Sequence, residues 1–338
     1  MKILVTGGAG FIGSHTVVEL QQSGYDVIIA DNLVNSNIEV LDGIEKITGR
    51  RPLFEKIDLV DFQAVLRMFE KYPDIEAVIH FAALKAVGES VYKPLEYYQN
   101  NLNSLINVLW GMREFKVNNF VFSSSCTVYG QADILPVTEQ TPRKKAESPY
   151  GNTKAICEDI MEDFGKAEEQ FKQIALRYFN PIGAHPTAHI GELPNGVPNN
   201  LIPYLTQTAA GIREQLSVFG DDYDTPDGTP VRDYIDVVDL AKAHVVAIRR
   251  LLEGKNKSRL EFFNIGTGEG ASVLQIIKTF EEATGRKVNY KITTRRAGDI
   301  EKIWADTSYA NKELGWKAEV PLKETLANAW KWQETFNK

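Results

Sequence analysis

Cysteine is nearly missing from this chain: two residues in 338, Cys126 and Cys157. That excludes a disulfide-stapled scaffold, and neither cysteine sits in a CxxC or a Cys/His cluster of metal-ligand spacing, so both read as structural. No apolar run approaches the length of a membrane span. Positive charge is also short, with 38 Lys and Arg against 45 Asp and Glu and a formal net charge of -7. Such a chain has no global attraction for nucleic acid or anionic lipid, so any phosphate it binds must be held locally. The opening Met1–Thr6 has the character of a strand and lacks the apolar and cleavage regions of a signal peptide, which predicts a cytoplasmic protein. Internal repeats and low-complexity tracts are likewise missing.

What is present is an ordinary globular composition, 43% hydrophobic and 25% charged, on a chain long enough for a large domain with a smaller one grafted on. The first half alternates short apolar runs (Ile3–Thr6, Asp26–Ala30, Leu53–Ile57, Ala77–Phe81, Asn119–Ser123, Gln173–Tyr178) with helix-length amphipathic stretches (Phe11–Gln22, Phe62–Lys71, Tyr97–Phe115, Tyr150–Ala167). This is the pattern of an α/β fold, a Rossmann-type doubly wound parallel sheet. A loop rich in Pro, Gly and Asn runs from Asn180 to about Asn200, and loops this long are usually functional. Beyond it, helices (Val237–Leu252, Val273–Thr284, Leu322–Phe336) mix with short strands (Glu261–Asn264, Val288–Lys291), read as a smaller mixed α/β substrate domain. The expected division is residues 1–180 for a dinucleotide and 181–338 mainly for substrate, with some chain crossing back.

Directly after the first apolar run stands Gly7-Gly8-Ala9-Gly10-Phe11-Ile12-Gly13, opening into a helix. Gly7 suits the tight turn, Gly10 lets backbone approach a pyrophosphate, and Gly13 lets helix pack on strand. The anion would sit on the free N–H groups of the helix start. The second strand ends at Asp31, placed to accept from adenosine ribose hydroxyls and to repel a 2′-phosphate, which favours NAD over NADP. Asp58-Leu59, ending the third strand, can border the adenine.

Tyr150 and Lys154 open a helix after Ser148-Pro149 and so lie one turn apart on one face. A phenol titrates near 10, and ionising it at neutrality takes roughly 4 kcal/mol of differential stabilisation. A lysine ammonium and an oxidised nicotinamide can together supply it. The fifth apolar run ends in Ser123-Ser124-Ser125. At the tip of a parallel strand, Ser125 can orient a substrate hydroxyl and pass its proton to Tyr150.

These residues, with Lys85-Ala86-Val87-Gly88-Glu89-Ser90, Arg177-Tyr178-Phe179-Asn180-Pro181, Pro198-Asn199-Asn200-Leu201, Val231-Arg232-Asp233-Tyr234-Ile235 and Arg295-Arg296-Ala297-Gly298-Asp299, resemble the extended short-chain dehydrogenase/reductases over nearly the whole chain. Within them the Lys85 segment and the later motifs look like the branch that epimerises UDP-hexoses at C4. The resemblance implies a tightly retained NAD, touched by Phe11, Ile12, Asn32, Asn35, Ser36, Phe81, Ala82, Ala83, Lys85, Asn100, Ser123 and Tyr178 besides the residues already named. It implies that Tyr150 takes the C4 hydroxyl proton while hydride leaves C4, that the 4-keto sugar turns over, and that the hydride returns to its other face, interconverting UDP-galactose and UDP-glucose.

For the UDP-sugar partner the resemblance implies Arg232 and Arg296 on the diphosphate, with Asn199, Asn200 and Leu201 beside it and Asp299 on the uridine ribose. Ser217-Val218-Phe219 would meet uracil, Tyr234 would line the pocket, and Lys85 and Asn180 would make the sugar and nicotinamide-side contacts. Ile303 stands where relatives carry either a bulky tyrosine or a small cysteine or serine, which leaves N-acetylated UDP-hexoses open as substrates. The family resemblance also implies a homodimer. Two rivals share the fold. A nucleotide-sugar 4,6-dehydratase needs an Asp-Glu pair after the serine, where this chain has Cys126-Thr127, and noncatalytic NAD-sensing relatives commonly lose the Tyr or Lys that this chain keeps.

Overall fold

The computed structural model describes residues 1–296 and 299–336; Ala297 and Gly298 of the Arg295–Asp299 motif lie outside the described residues. Strand and helix alternate through β1 (Lys2–Thr6), α1 (Phe11–Gln22), β2 (Asp26–Asp31), α2 (Val40–Thr48), β3 (Leu53–Lys56), α3 (Phe62–Lys71), β4 (Ile75–His80), α4 (Val87–Tyr92), α5 (Pro94–Glu114), β5 (Asn119–Ser125), α6 (Pro149–Ala167) and β6 (Lys172–Tyr178). The chain continues through β7 (Asn180–Ile182), α7 (Leu201–Ala209), β8 (Leu216–Phe219), β9 (Val231–Arg232), β10 (Tyr234–Asp236), α8 (Val237–Leu252), β11 (Leu260–Ile265), β12 (Ala271–Ser272), α9 (Val273–Thr284), β13 (Tyr290–Thr293), β14 (Lys302–Ile303), α10 (Ser308–Glu313) and α11 (Leu322–Glu334).

Seven strands form one sheet in the order β11-β6-β5-β4-β1-β2-β3, and every pairing in it is parallel. Alternation along each strand fills two cores. Ile3 and Val5 of β1 join Val17 and Leu20 of α1 and Leu240 and Ile248 of α8 on one face. Leu4 joins Val65 and Phe69 of α3, Leu105 and Val108 of α5 and Met161 of α6 on the other. Each such side chain, fully removed from water, contributes about 1.5–3 kcal/mol. The winding reverses between β1 and β4, and their C-terminal ends open the crevice where ligands bind in such folds. A third core, with Leu205, Val218, Ile276, Phe280 and Leu326, supports the smaller body.

Of the segments after the long loop that were read with the smaller body, Glu261–Asn264 and Val237–Leu252 belong to the main sheet and its covering layer. The apolar run Glu261–Asn264 is the centre of β11, which returns to the main sheet and pairs with β6 from Leu260↔Gln173 to Ile265↔Tyr178. Helix α8 returns with it to cover the face shared with α1. The long loop is not irregular from its first residue, because Asn180–Ile182 pair with β10 as β7. The last short strand begins at Tyr290, where pairing with β8 starts; Val288 is drawn into the third core instead. Among the described residues no helix is long and apolar enough to cross a membrane.

Candidate active site

The glycine turn after β1 is shaped as its spacing predicts. Gly7 has φ +67°, and a Cβ there would lie 2.7 Å from Ala82 N; one at Gly13 would lie 2.3 Å from Gly7 O. Both positions therefore demand glycine, and they leave α1 starting at Gly10 with only Phe11, Ile12, Gly13 and Ser14 in its first turn. No acidic side chain competes there for the helix N–H groups, so the cradle fits the pyrophosphate of a dinucleotide. Asp31, buried at the end of β2, accepts from Ala9 N at 3.1 Å, Leu33 N at 2.8 Å and Ser36 Oγ at 2.9 Å. It thus braces the glycine turn and the Asn32–Ser36 segment, and a carboxylate with about four acceptor sites keeps capacity for a ribose hydroxyl.

Other positions on this side fall around the same crevice. Asn32 Oδ1 turns back to Val34 N at 3.1 Å, and Asn35 is exposed. Asp58 is exposed with Val60 N at 3.0 Å, whereas the Leu59 side chain is core and only its main chain, held by Asn107 at 2.9 Å, faces outward. Phe81, Ala82 and Ala83 follow β4, with Phe81 against His244 at 4.6 Å between ring centroids. Asn100 donates to Asn101 Oδ1 at 3.0 Å.

Helix α6 starts where the sequence directs. Ser148 caps it by accepting from Gly151 N at 3.2 Å, and Pro149 takes the first helical position. Lys154, one turn past Tyr150, is buried and donates to Ser123 O at 2.6 Å. Its ammonium lies 5.9 Å from the Tyr150 ring centroid and 4.8 Å from that of Phe122. Burial lowers the Lys154 pKa to about 8, against the raising influence of Cys157 and Glu158.

The expected depression of the phenol does not arise from the chain alone. Burial pushes Tyr150 well up, with the Ser125 hydroxyl pulling the other way. Desolvation sets the direction, and the Lys154 ammonium is committed to the Ser123 carbonyl and not bonded to the phenol. Ser123 and Tyr178 hydroxyls bond to each other, and Ser125 Oγ accepts from Thr127 N at 3.2 Å.

Across the crevice, Arg232 is held by main-chain carbonyls of its own strand and of the segment that leads into β14. Its guanidinium donates to Val231 O at 2.9 Å, Glu301 O at 3.2 Å and Ile300 O at 2.5 Å, while Asp233 turns inward to Thr267, Gly268 and Ala305. Arg296 and Asp299 form a two-bonded pair at 3.1 and 2.8 Å, with Arg296 also over the Phe219 ring. Ser217 is half-buried and Val218 is core, so β8 presents main chain and the exposed Phe219. Asn180 is half-buried at the start of β7, Asn199 is exposed, and Asn200 precedes Leu201 at the start of α7. Tyr234 is buried in the third core. Ile303 is 1% exposed and packed with Cys126 and Phe179 in a small core.

Three residues were not singled out from the sequence. Asn101 ties α5 to Leu84 N and O and to Thr153 of α6 at 2.8–3.0 Å. Glu158, one turn beyond Lys154, accepts from Ser124 at 2.6 Å and Arg177 at 2.8 and 2.7 Å in a buried network. Glu192 meets Lys85 and Asn200. The Lys154–Glu158 spacing was visible on one helical face; the other two depend on pairings far apart in sequence.

The geometry has close counterparts. A UDP-glucose 4-epimerase of Bacillus subtilis is 51% identical over 335 residues, covering 99% of this chain and 97% of that protein. The chain belongs to the UDP-glucose 4-epimerase family. A solved epimerase of this family from Bifidobacterium longum, in complex with NAD+ and UDP, has a TM-score of 0.95 at 47% identity, covering 99% of this chain and 98% of that one. The Stenotrophomonas maltophila UDP-glucose-4-epimerase, with bound NAD and formylated UDP-arabinopyranose, matches equally, with a TM-score of 0.95, 47% identity and the same coverage. The family model described as GDP-mannose 4,6 dehydratase matches residues 4–329, which places the epimerase family beside the dehydratases that share its fold.

Proposed function

We propose that the protein is an NAD-dependent UDP-glucose 4-epimerase that interconverts UDP-galactose and UDP-glucose. What supports this reading is Ser125 at the tip of β5 bonding the Tyr150 phenol, with Lys154 one helical turn on and anchored to Ser123 O, in a chain 51% identical to a named epimerase along nearly its whole length. Residues 1–180 would hold the dinucleotide and residues 181–338 mainly the UDP-sugar. Gly7, Gly10 and Gly13 would seat the NAD pyrophosphate and Asp31 the adenosine ribose. Bound NAD supplies the acceptor that takes the sugar C4 hydride and returns it to the opposite face.

Everything else is the work of this chain's side chains. Tyr150 takes and returns the C4 hydroxyl proton, with Ser125 orienting that hydroxyl. Lys154, anchored on Ser123 O, keeps a positive charge beside the phenol as it ionises. Arg232 and Arg296 hold the diphosphate so that the sugar alone turns. A dehydratase would need an acid beyond Ser125, and Cys126 does not replace it: burial pushes its thiol up to about 12.

The same reading takes the enzyme to be cytoplasmic and homodimeric. Support for the dimer is the apolar surface at the junction of α4 and α5, where Tyr92 is 86% and Leu95 78% exposed. The test is turnover of UDP-galactose by the purified protein with no added NAD, together with nicotinamide absorbance released on denaturation. UDP-glucose as the product is expected. A dehydrated 4-keto product, or no conversion even with NAD supplied, would overturn the proposal.

A further inference from the structure

The loop between β7 and α7 holds a carboxylate at a junction. Glu192 is 11% exposed, and its Oε1 accepts from two donors that come from different parts of the crevice wall. One is Lys85 Nζ at 3.2 Å, from the turn after β4. The other is Asn200 Nδ2 at 2.6 Å, from the residue before α7. Asn200 occupies the N-cap position, yet its amide is engaged by Glu192 instead of by the helix it precedes.

The main chain at this point is anchored from several sides. Trp332 of α11 packs on Gly191 so closely that a Cβ there would lie 2.5 Å from the indole, and its Nε1 donates to Glu192 O at 3.0 Å. Lys331 donates to Pro186 O at 2.5 Å, and Ala184 pairs with Gly191 across the loop. Toward the dinucleotide side, His189 O would lie 2.3 Å from a Cβ at Gly43, and Asn195 Nδ2 donates to Val34 O at 3.3 Å. The carboxylate therefore extends from a fixed backbone.

We propose that Glu192 is a positioning residue for epimerisation: it sets where the sugar-side Lys85 and the diphosphate-side Asn200 stand relative to each other. This rests on the functional reading above, from which the roles of those two residues come. A lysine side chain loses much rotamer freedom when fixed. A charge-assisted bond to an anchored acceptor moves that loss from substrate binding to folding.

The test compares Glu192→Ala, Glu192→Gln and Trp332→Phe with the wild-type holoenzyme. Glu192→Ala is expected to raise KM for UDP-galactose about five- to tenfold, the loss of bonds to anchored partners, with kcat within about twofold. Glu192→Gln keeps a carbonyl acceptor for both donors and restores KM to within about twofold of wild type. Trp332→Phe removes the bond to Glu192 O together with part of the ring packed on Gly191 and raises KM less; combined with Glu192→Ala its effect is smaller than alone. Titration with UDP alone reads the Asn200 arm and is expected to weaken in Glu192→Ala. A KM and UDP affinity unchanged in Glu192→Ala, or additive effects in the double variant, would overturn the positioning role, whatever happens to thermal stability. Absence of epimerase activity in the wild type would instead remove the functional reading beneath it.

Discussion

The two walls of the crevice are held in different ways. On the wall built from β5, α6 and β6, Lys154, Glu158 and Arg177 are buried and their polar groups are spent on neighbours within the fold. On the wall built from the later segments, Arg296–Asp299, Arg295–Asp222 and Lys302–Asp224 are exposed ion pairs. Exposed pairs are worth only about 0–1 kcal/mol, so under the proposed function a diphosphate would take Arg296 from Asp299 at little cost. Under the same reading, the proton-transfer wall would be fixed by folding, whereas on the opposite wall Arg296 would be kept by a partner that a ligand replaces. Arg232 and Glu192 are already held within the fold.

The contrast can be broken at either wall. The largest effect is expected from Tyr150→Phe, which removes only the phenol oxygen: kcat should fall roughly a hundred- to ten-thousandfold, with NAD content by absorbance unchanged. Near-normal turnover would leave the proton transfer without its group. Next comes Glu158→Ala, which strands the buried Arg177 charge and should cost about 3–5 kcal/mol of stability by urea denaturation. A loss below about 1 kcal/mol would put this wall in the same class as the exposed pairs.

At the opposite wall, Arg296→Ala should raise KM about tenfold or more, the loss of charge-assisted bonds, while leaving the melting temperature nearly unmoved. A large drop in melting temperature would show that this pair belongs to the fold. The smallest effect sharpens the electrostatics. The Lys154 ammonium lies 5.9 Å from the Tyr150 ring centroid, and under the proposed function it favours the ionised phenol, so Lys154→Met should shift the acid side of the pH–kcat profile upward by about one pH unit. An unmoved profile would assign the tuning of Tyr150 to Ser125 and the cofactor.

Much of the first wall was legible because its parts lie close in sequence. The glycine turn announces its helix, Ser148-Pro149 announces α6, and Tyr150 and Lys154 stand one turn apart on one helical face. The sheet alternation was visible for the same reason, since each strand's burial pattern is local. What escaped depends on partners distant along the chain. Nothing around Leu260–Ile265 says that this strand joins the main sheet, because that is settled by β6 nearly ninety residues earlier. Glu192 and Lys85 stand 107 residues apart, and neither has a local pattern that marks the meeting. The raised phenol of Tyr150 was not legible either, since desolvation depends on what closes over a residue and not on its spacing from a lysine.

The late return of β11 and α8 makes the nucleotide-binding half incomplete by itself. A fragment ending near residue 180 would leave β6 as an open sheet edge and strip the apolar side of α1 and β1 of its cover. Open edges and bare apolar faces pair with other chains. Nascent chains would therefore wait for the last third of synthesis before the first half can close, and proteolytic nicking past the catalytic helix would release an aggregating piece, not a surviving dinucleotide-binding module.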